Sequence, residues 1–328
     1  MARRTAISAG WIVAFDGRGH RLLRDGVVVV EGERIVHVGR TLEGAADETI
    51  DARDRVLTPG LITTHAHIAG SPLDRSFIED RGSPQFWYSG LFEMLQRHRT
   101  TPIAWLDEIG VLGENTVLGH AIIIGGSSWT NYPAGDVAIM AESGCSVAHA
   151  PWVFARRGVL MESFALYRKA GINVALGTDT NPQSVIEAMR WAAVVSKMME
   201  RNTESTTAAH AFDAATLGGA RALGREDLGR IAPRAKADLV LWKASSWRMT
   251  PLRDPVKNIV YNASDEDVDR VYVNGRVVVD GGRVLGADEG AILAALQAGG
   301  ERMWPRMTKY DWAGRGADQL SPQTYPEW

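Results

Sequence analysis

The sequence predicts an α/β protein: a body built like a (β/α) barrel, with a small β-sandwich assembled from both ends of the chain. Three observations carry this expectation. Strand signals cluster before residue 57 and again after residue 236. The middle alternates short apolar runs with helical stretches, as parallel βα units do. Four of those runs end in a histidine or an aspartate, and barrel enzymes carry their chemistry at the C-terminal ends of parallel strands.

Taken in order, Val27 to Val30 is a β-branched run, Glu31 to Arg34 a turn, and Ile35 to Val38 a second strand. Beyond the middle come Ala237 to Trp242, Val271 to Val273 and Val277 to Val279. Asn274-Gly275, between the last two, is a strong hairpin signal because both turn positions need positive φ. Neither end holds enough apolar surface to be stable alone, so residues 1–57 and 236–285 are expected to fold together. Residues 58–235 form the barrel-like body, and 286–328 a C-terminal helix and irregular tail broken by Gly and Pro. Helices are expected over Pro102 to Ile109, Ala134 to Ser143, Leu160 to Ala170, Pro182 to Arg201 and Thr206 to Leu223, with another over Ser83 to Gln96. Pro182 suits a first helical turn, where its missing N–H costs nothing.

Composition narrows the function. At 328 residues and 45% hydrophobic, the chain has material for a large core. A net charge of −3 leaves no basic footprint for nucleic acid and no polybasic stretch for anionic membranes. Cys145 is the only cysteine, so no intramolecular disulfide can form. The apolar patch from Ile7 to Phe15 holds Ser8 and Gly10 and runs into Asp16-Gly17 without a cleavage site. No run reaches the roughly 18 apolar residues a spanning helix needs. The expectation is a soluble cytoplasmic protein acting on a small molecule.

The four runs place the chemistry. Leu61 to Thr64 leads into His65-Ala66-His67, Thr116 to Gly119 into His120, Cys145 to Ala148 into His149, and Ile172 to Thr178 into Asp179. Residues two apart on a strand leave from the same face, so His65 and His67 can reach one ion. A carboxylate from Asp179 completes a His/His/Asp set suited to zinc or ferrous iron. Asp179 could instead serve only as a turn residue before the next helix, but Thr180 or Asn181 can supply that cap. His120 is either a fourth ligand or a base and hydrogen-bond donor beside the metal. His149 is placed on the substrate side of the site, with a purely structural role as the alternative. His20, His37, His98 and His210 lie away from strand ends and are read as surface or packing residues.

Pro59-Gly60-Leu61-Ile62-Thr63-Thr64-His65-Ala66-His67 resembles the first-strand signature of the amidohydrolase superfamily. Leu118-Gly119-His120-Ala121, Ser146-Val147-Ala148-His149 and Ala175-Leu176-Gly177-Thr178-Asp179 are similar to its sixth, seventh and eighth strands, in the branch of cytosine deaminases, chlorohydrolases and methylthioadenosine deaminases. Asp238-Leu239-Val240 and Val273-Asn274-Gly275-Arg276 resemble the flanking β-sandwich. The resemblance implies one divalent metal, zinc before iron, on His65, His67 and Asp179. It also implies proton transfer by Asp179, orientation or polarisation by His120, and hydrolysis of a C–N bond in a small cyclic amidine or aminated heterocycle.

The chain also departs from that family. Only 53 positions separate His67 from His120, whereas four barrel units would need about 120. The expectation is therefore an incomplete barrel, an internal deletion keeping strands equivalent to one, six, seven and eight. The fifth strand, which supplies a further metal-binding histidine in relatives, is missing, and His98 sits in a polar helix end. A catalytically inactive relative serving as a binding or structural protein is the alternative reading. Open strand edges leave three outcomes: a helix over 84–96 covering an edge, a homo-oligomer pairing edges, or poor solubility. The covered sheet is expected, because Phe86, Trp87, Leu91, Phe92 and Leu95 give that helix an apolar face.

Overall fold

A computed structural model describes residues 2–67, 98–128, 132–159, 161 and 163–325 of the chain, and eleven strands organise these described residues. The helix expected over Ser83 to Gln96, its apolar residues, Leu160 and the last three residues of the expected tail lie outside the described residues.

Strands β1 (Arg4–Phe15), β2 (His20–Glu31), β3 (Arg34–Gly39) and β4 (Glu48–Pro59) come from the N-terminal part. Strands β8 (Leu239–Lys243), β9 (Val268–Val273), β10 (Arg276–Asp280) and β11 (Arg283–Val284) come from the C-terminal part. All eight join one sheet in the order β11-β10-β9-β8-β4-β1-β2-β3. Its seam is the antiparallel pairing of β4 with β8, Arg55 opposite Lys243 through Pro59 opposite Leu239.

Alternation decides which face each side chain serves. Ile12, Leu57, Leu239 and Leu241 point into a cluster with Ile7, Val28, Ile35 and Tyr272. Their neighbours Val13, Val56, Val240 and Trp242 point the other way, into the core shared with the second, parallel sheet and its helices. Because both faces are covered here, Leu239-Val240-Leu241-Trp242 reads as one unbroken apolar run and is buried throughout. The sheet also curls. The Asn274-Gly275 turn, with φ of 49° and 73°, meets the β2–β3 turn so closely that a Cβ on Gly275 would lie 2.1 Å from the Gly32 carbonyl oxygen.

The second sheet is parallel, formed by β5 (Val117–Gly119), β6 (Ser146–His149) and β7 (Asn173–Leu176). β4 runs through Gly60 into residues 61–67, which lie along the β7 side of this sheet. The Thr64 amide donates to the Leu176 carbonyl (2.9 Å), Thr178 to His65 (2.9 Å) and His67 to Asp179 (2.8 Å), with a parallel bridge from Ala66 to Asp179. Four parallel segments thus lie side by side among the described residues.

Helices cover this sheet with boundaries set by caps. The helix expected from Pro182 begins only at Val185 and runs to Glu200, because the Ser184 hydroxyl accepts from the Glu187 amide. The helix expected over Thr206 to Leu223 is three pieces: Ala208–Asp213, a π-helical turn Ala214–Gly218, and Gly219–Ala222. Close packing explains the glycines there: a Cβ on Gly218 would sit 2.8 Å from the Val174 carbonyl oxygen, and one on Gly219 would sit 2.7 Å from Ile62 Cβ. The tail begins as a helix, Glu289–Met303, followed by short turns. No helix of the described residues is long and apolar enough to cross a membrane.

His20, expected as a surface or packing residue, is the latter. Its side chain is 10% exposed and lies edge-on to the Phe212 ring, with Nε2 3.0 Å from Thr216 Oγ1. Residues nearly 200 positions away bury it.

Candidate metal centre

Each of the four parallel segments ends at the same place. β5 delivers His120, whose amide donates to the Ala148 carbonyl (2.9 Å). β6 delivers His149, whose carbonyl accepts from the Gly177 amide (2.8 Å). β7 leads through Gly177 and Thr178 to Asp179, and the segment after β4 ends in His65 and His67.

Three imidazoles meet one carboxylate there. Asp179 Oδ2 lies 3.2 Å from His120 Nε2 and 3.6 Å from His65 Nε2, and Oδ1 lies 3.3 Å from His67 Nε2. Asp179 is 5% exposed. Its burial pushes the carboxyl upward, but the His120 hydrogen bond and the charges of His120, His65 and His67 outweigh that and hold it below the usual carboxylate range. The His65 imidazole is held below its ordinary value, chiefly by burial, with Asp179 acting in the opposite direction.

Backbone geometry sharpens the convergence. Asp179, His120 and Ala121 all adopt left-handed φ, of 57°, 54° and 44°, a region uncommon for residues with a Cβ. Such strain persists only where surroundings enforce it. The buried Tyr167 hydroxyl donates to the Ala121 carbonyl (2.9 Å), and the Phe154 ring packs 4.5 Å from that of His120. The Gln183 side-chain amide donates to the His67 carbonyl (2.7 Å). None of these three supporting residues stands out in the sequence. Tyr167 reads as one more apolar helix position, and only the placement of Phe154 just after His149 could have marked it.

His65, His67 and Asp179 each offer a ligand atom, and these atoms lie within 4.8 Å of one another. His65 Nε2 is buried without a hydrogen-bond partner, an orphaned donor atom that a cation would satisfy. Two neutral imidazoles and a carboxylate suit zinc, so the residues fit a divalent ion. His120 approaches the same carboxylate oxygen as His65, with the two rings 5.0 Å apart and edge-on. His149 is buried, 4% exposed, with Nδ1 unpartnered and its pKa pressed down to about 3 by burial and by the neighbouring His120. His98, by contrast, is exposed and stands apart from the group.

Residues 91–278 match the sequence model of the amidohydrolase family. The chain is 32% identical over 210 residues to the 5'-deoxyadenosine deaminase of Methanothermobacter thermautotrophicus, covering 63% of this chain and 47% of that protein. It is 30% identical over 280 residues to the 5-methylthioadenosine/S-adenosylhomocysteine deaminase of Halobacterium salinarum, covering 82% and 61%. The chain thus spans about half the length of the curated relatives it matches. In structure it is similar to an adenosine deaminase from Xanthomonas campestris with bound zinc, with TM-score 0.78, 18% identity, and coverage of 91% of this chain and 98% of that one. It is also similar to an atrazine chlorohydrolase from Arthrobacter aurescens complexed with zinc, with TM-score 0.74, 18% identity and coverage of 90% and 99%. At such identities the structural likeness speaks for the fold alone.

Proposed function

The chain belongs to the amidohydrolase family, and from that premise we propose that it is a metal-dependent hydrolase that deaminates a small aminated heterocycle. One observation carries the reading: His65, His67 and His120 converge on the Asp179 carboxylate at the ends of adjacent parallel segments. A single divalent ion, zinc in this reading, would be held by His65, His67 and Asp179, and when bound supplies Lewis-acid activation of water.

The chain's own residues do the rest. Asp179, kept ionised by the three imidazoles around it, takes the proton of the attacking water and returns it to the leaving nitrogen. Water and the amine thereby become a carbonyl group and ammonia, with no redox change. His120, 3.2 Å from that carboxylate, orients the water and polarises the ring undergoing attack. His149 lines the substrate side. The two relatives named above are deaminases of adenine nucleosides, so the substrate class we assign is a purine nucleoside carrying an exocyclic amine.

This reading divides the chain into a β-domain of residues 1–57 and 236–285, a catalytic body of 58–235 and a tail of 286–328. The body retains barrel strands equivalent to one, six, seven and eight. The test is direct: load the purified chain with zinc, measure metal per chain by elemental mass spectrometry, and follow ammonia release from 5'-deoxyadenosine. One bound zinc and steady ammonia release are expected. A chain that takes up no metal, or a zinc-loaded chain inert toward adenine nucleosides, overturns the proposal.

A further inference from the structure

At the opposite end of the parallel strands lies a cavity of about 490 Å³ lined by Arg18, Arg221, Arg225, Arg230, Phe15 and Glu226, among others. The Asn173 side chain, at the start of β7, donates to the Gly218 carbonyl (3.0 Å). The π-helical turn bordering this cavity therefore marks the end away from Asp179.

The arginines are not equivalent. Arg225 is neutralised by a two-pronged pair with Asp227 (2.8 and 3.1 Å). Arg230 stacks on the Phe15 ring, its guanidinium carbon 4.7 Å from the centroid, and its Nε donates to the Leu228 carbonyl. That leaves its charge uncompensated and its orientation fixed. The guanidinium groups of Arg18 and Arg221 make no hydrogen bond or ion pair among the described residues. The backbone at Arg18 is fixed, because its turn is tied by Asp16 accepting from the Arg18 and Gly19 amides (2.9 and 3.0 Å), while the side chain itself is exposed. The Phe15 amide then pins that turn to the Ile231 carbonyl (2.9 Å). Four guanidiniums thus border the cavity with Glu226, while Asp227 pairs with Arg225 and the Asp213 carboxylate lies within electrostatic reach of Arg221.

We propose that this arginine-lined cavity binds a multiply charged phosphoryl anion of the diphosphate or triphosphate kind. Guanidinium forks match phosphate oxygens in pairs. Glu226 opposes any anion, so the cavity favours a ligand that engages several guanidiniums at once, as a multiply charged phosphoryl group does and a monovalent carboxylate does not. The site is a half-open depression lined largely by exposed arginines, which suits a compact, highly charged ligand.

Isothermal titration of the full chain with pyrophosphate at fixed ionic strength tests the assignment. Arg18→Gln and Arg221→Gln alter exposed side chains and should each weaken binding by roughly tenfold or more. Arg283→Gln, on an exposed edge strand, should leave it unchanged, and orthophosphate should bind more weakly than pyrophosphate. Absence of binding at millimolar pyrophosphate, equal affinity in both cavity variants and the unsubstituted chain, or orthophosphate binding as tightly as pyrophosphate overturns the proposal.

Discussion

Lowering the pH should loosen the fold through His20. Its pKa is lowered from 6.5 to about 4, chiefly by burial, with the Ala14 carbonyl resisting the shift and the nearby Arg230 charge adding to it. Between those values the unfolded chain takes up a proton that the folded chain refuses. The stability tied to neutral His20 is therefore complete above about pH 6.5 and is lost as pH falls toward 4, not as it rises. Full protonation of the unfolded state alone would cost about 3 kcal/mol, of which about 2.5 kcal/mol is gone by roughly pH 4.5. The side chain is only 10% exposed, so solvent screening removes little of this. Urea unfolding of metal-free protein near pH 7.5 and near pH 4.5 gives the wild-type loss, and the same pair of curves for His20→Gln gives the loss without this titration. His20→Gln should start less stable, since it forfeits the packing against Phe212 and Phe15, yet lose about 2.5 kcal/mol less on acidification. Acid titration of His149 is common to both proteins and cancels. Equal acid losses in the two would refute the reasoning.

Three further outcomes are expected. Asp179→Asn keeps the shape but removes the anionic ligand atom, and should lower zinc affinity at least tenfold by competition with a chromophoric chelator, whereas His98→Ala should not change it. Gly177→Ala would put a methyl 2.9 Å from His65 Cβ and 3.0 Å from its carbonyl oxygen; thermal melts should show a loss of about 1–3 kcal/mol, with weaker metal uptake. Trp242→Phe removes the buried hydrogen bond from Nε1 to Thr58 Oγ1 (3.0 Å) and leaves a void where β8 meets β4. Denaturant titration should show about 2–3 kcal/mol of destabilisation.

Much of this molecule is legible in its sequence because its signals are local. A strand followed by a histidine or aspartate is visible in ten residues, and the repetition of that pattern is enough to place His65, His67, His120, His149 and Asp179 at one end of a sheet. The hairpin at Asn274-Gly275 is equally local, since positive φ is a property of the two residues themselves. What escapes is decided at a distance. His20 sits among charged residues in a glycine-containing turn and gives no hint that Phe212 and Thr216 will enclose it. The unbroken helical pattern from Thr206 to Leu223 conceals a π-helical turn, because that turn answers to contacts with β7 and Ile62 rather than to propensity. The left-handed backbone at His120 and Ala121 is likewise a product of the body around it, with Tyr167 holding the carbonyl from 46 residues away.

The passage of β4 through Gly60 into the histidine segment works as a ruler. β4 is clamped by β8 up to Pro59, and Gly60 is fastened by its amide to the Asp238 carbonyl (2.8 Å). The distance from that clamp to His65 and His67 is thus counted out in residues. Ile62 packs against Gly219 and the Thr64 hydroxyl donates to the Leu176 carbonyl, so inserting or removing a single residue at the joint would shift both imidazoles out of register with Asp179. Register is the quantity this stretch must preserve, and a one-residue change at the joint should part His65 and His67 from Asp179 while leaving all three in the sequence.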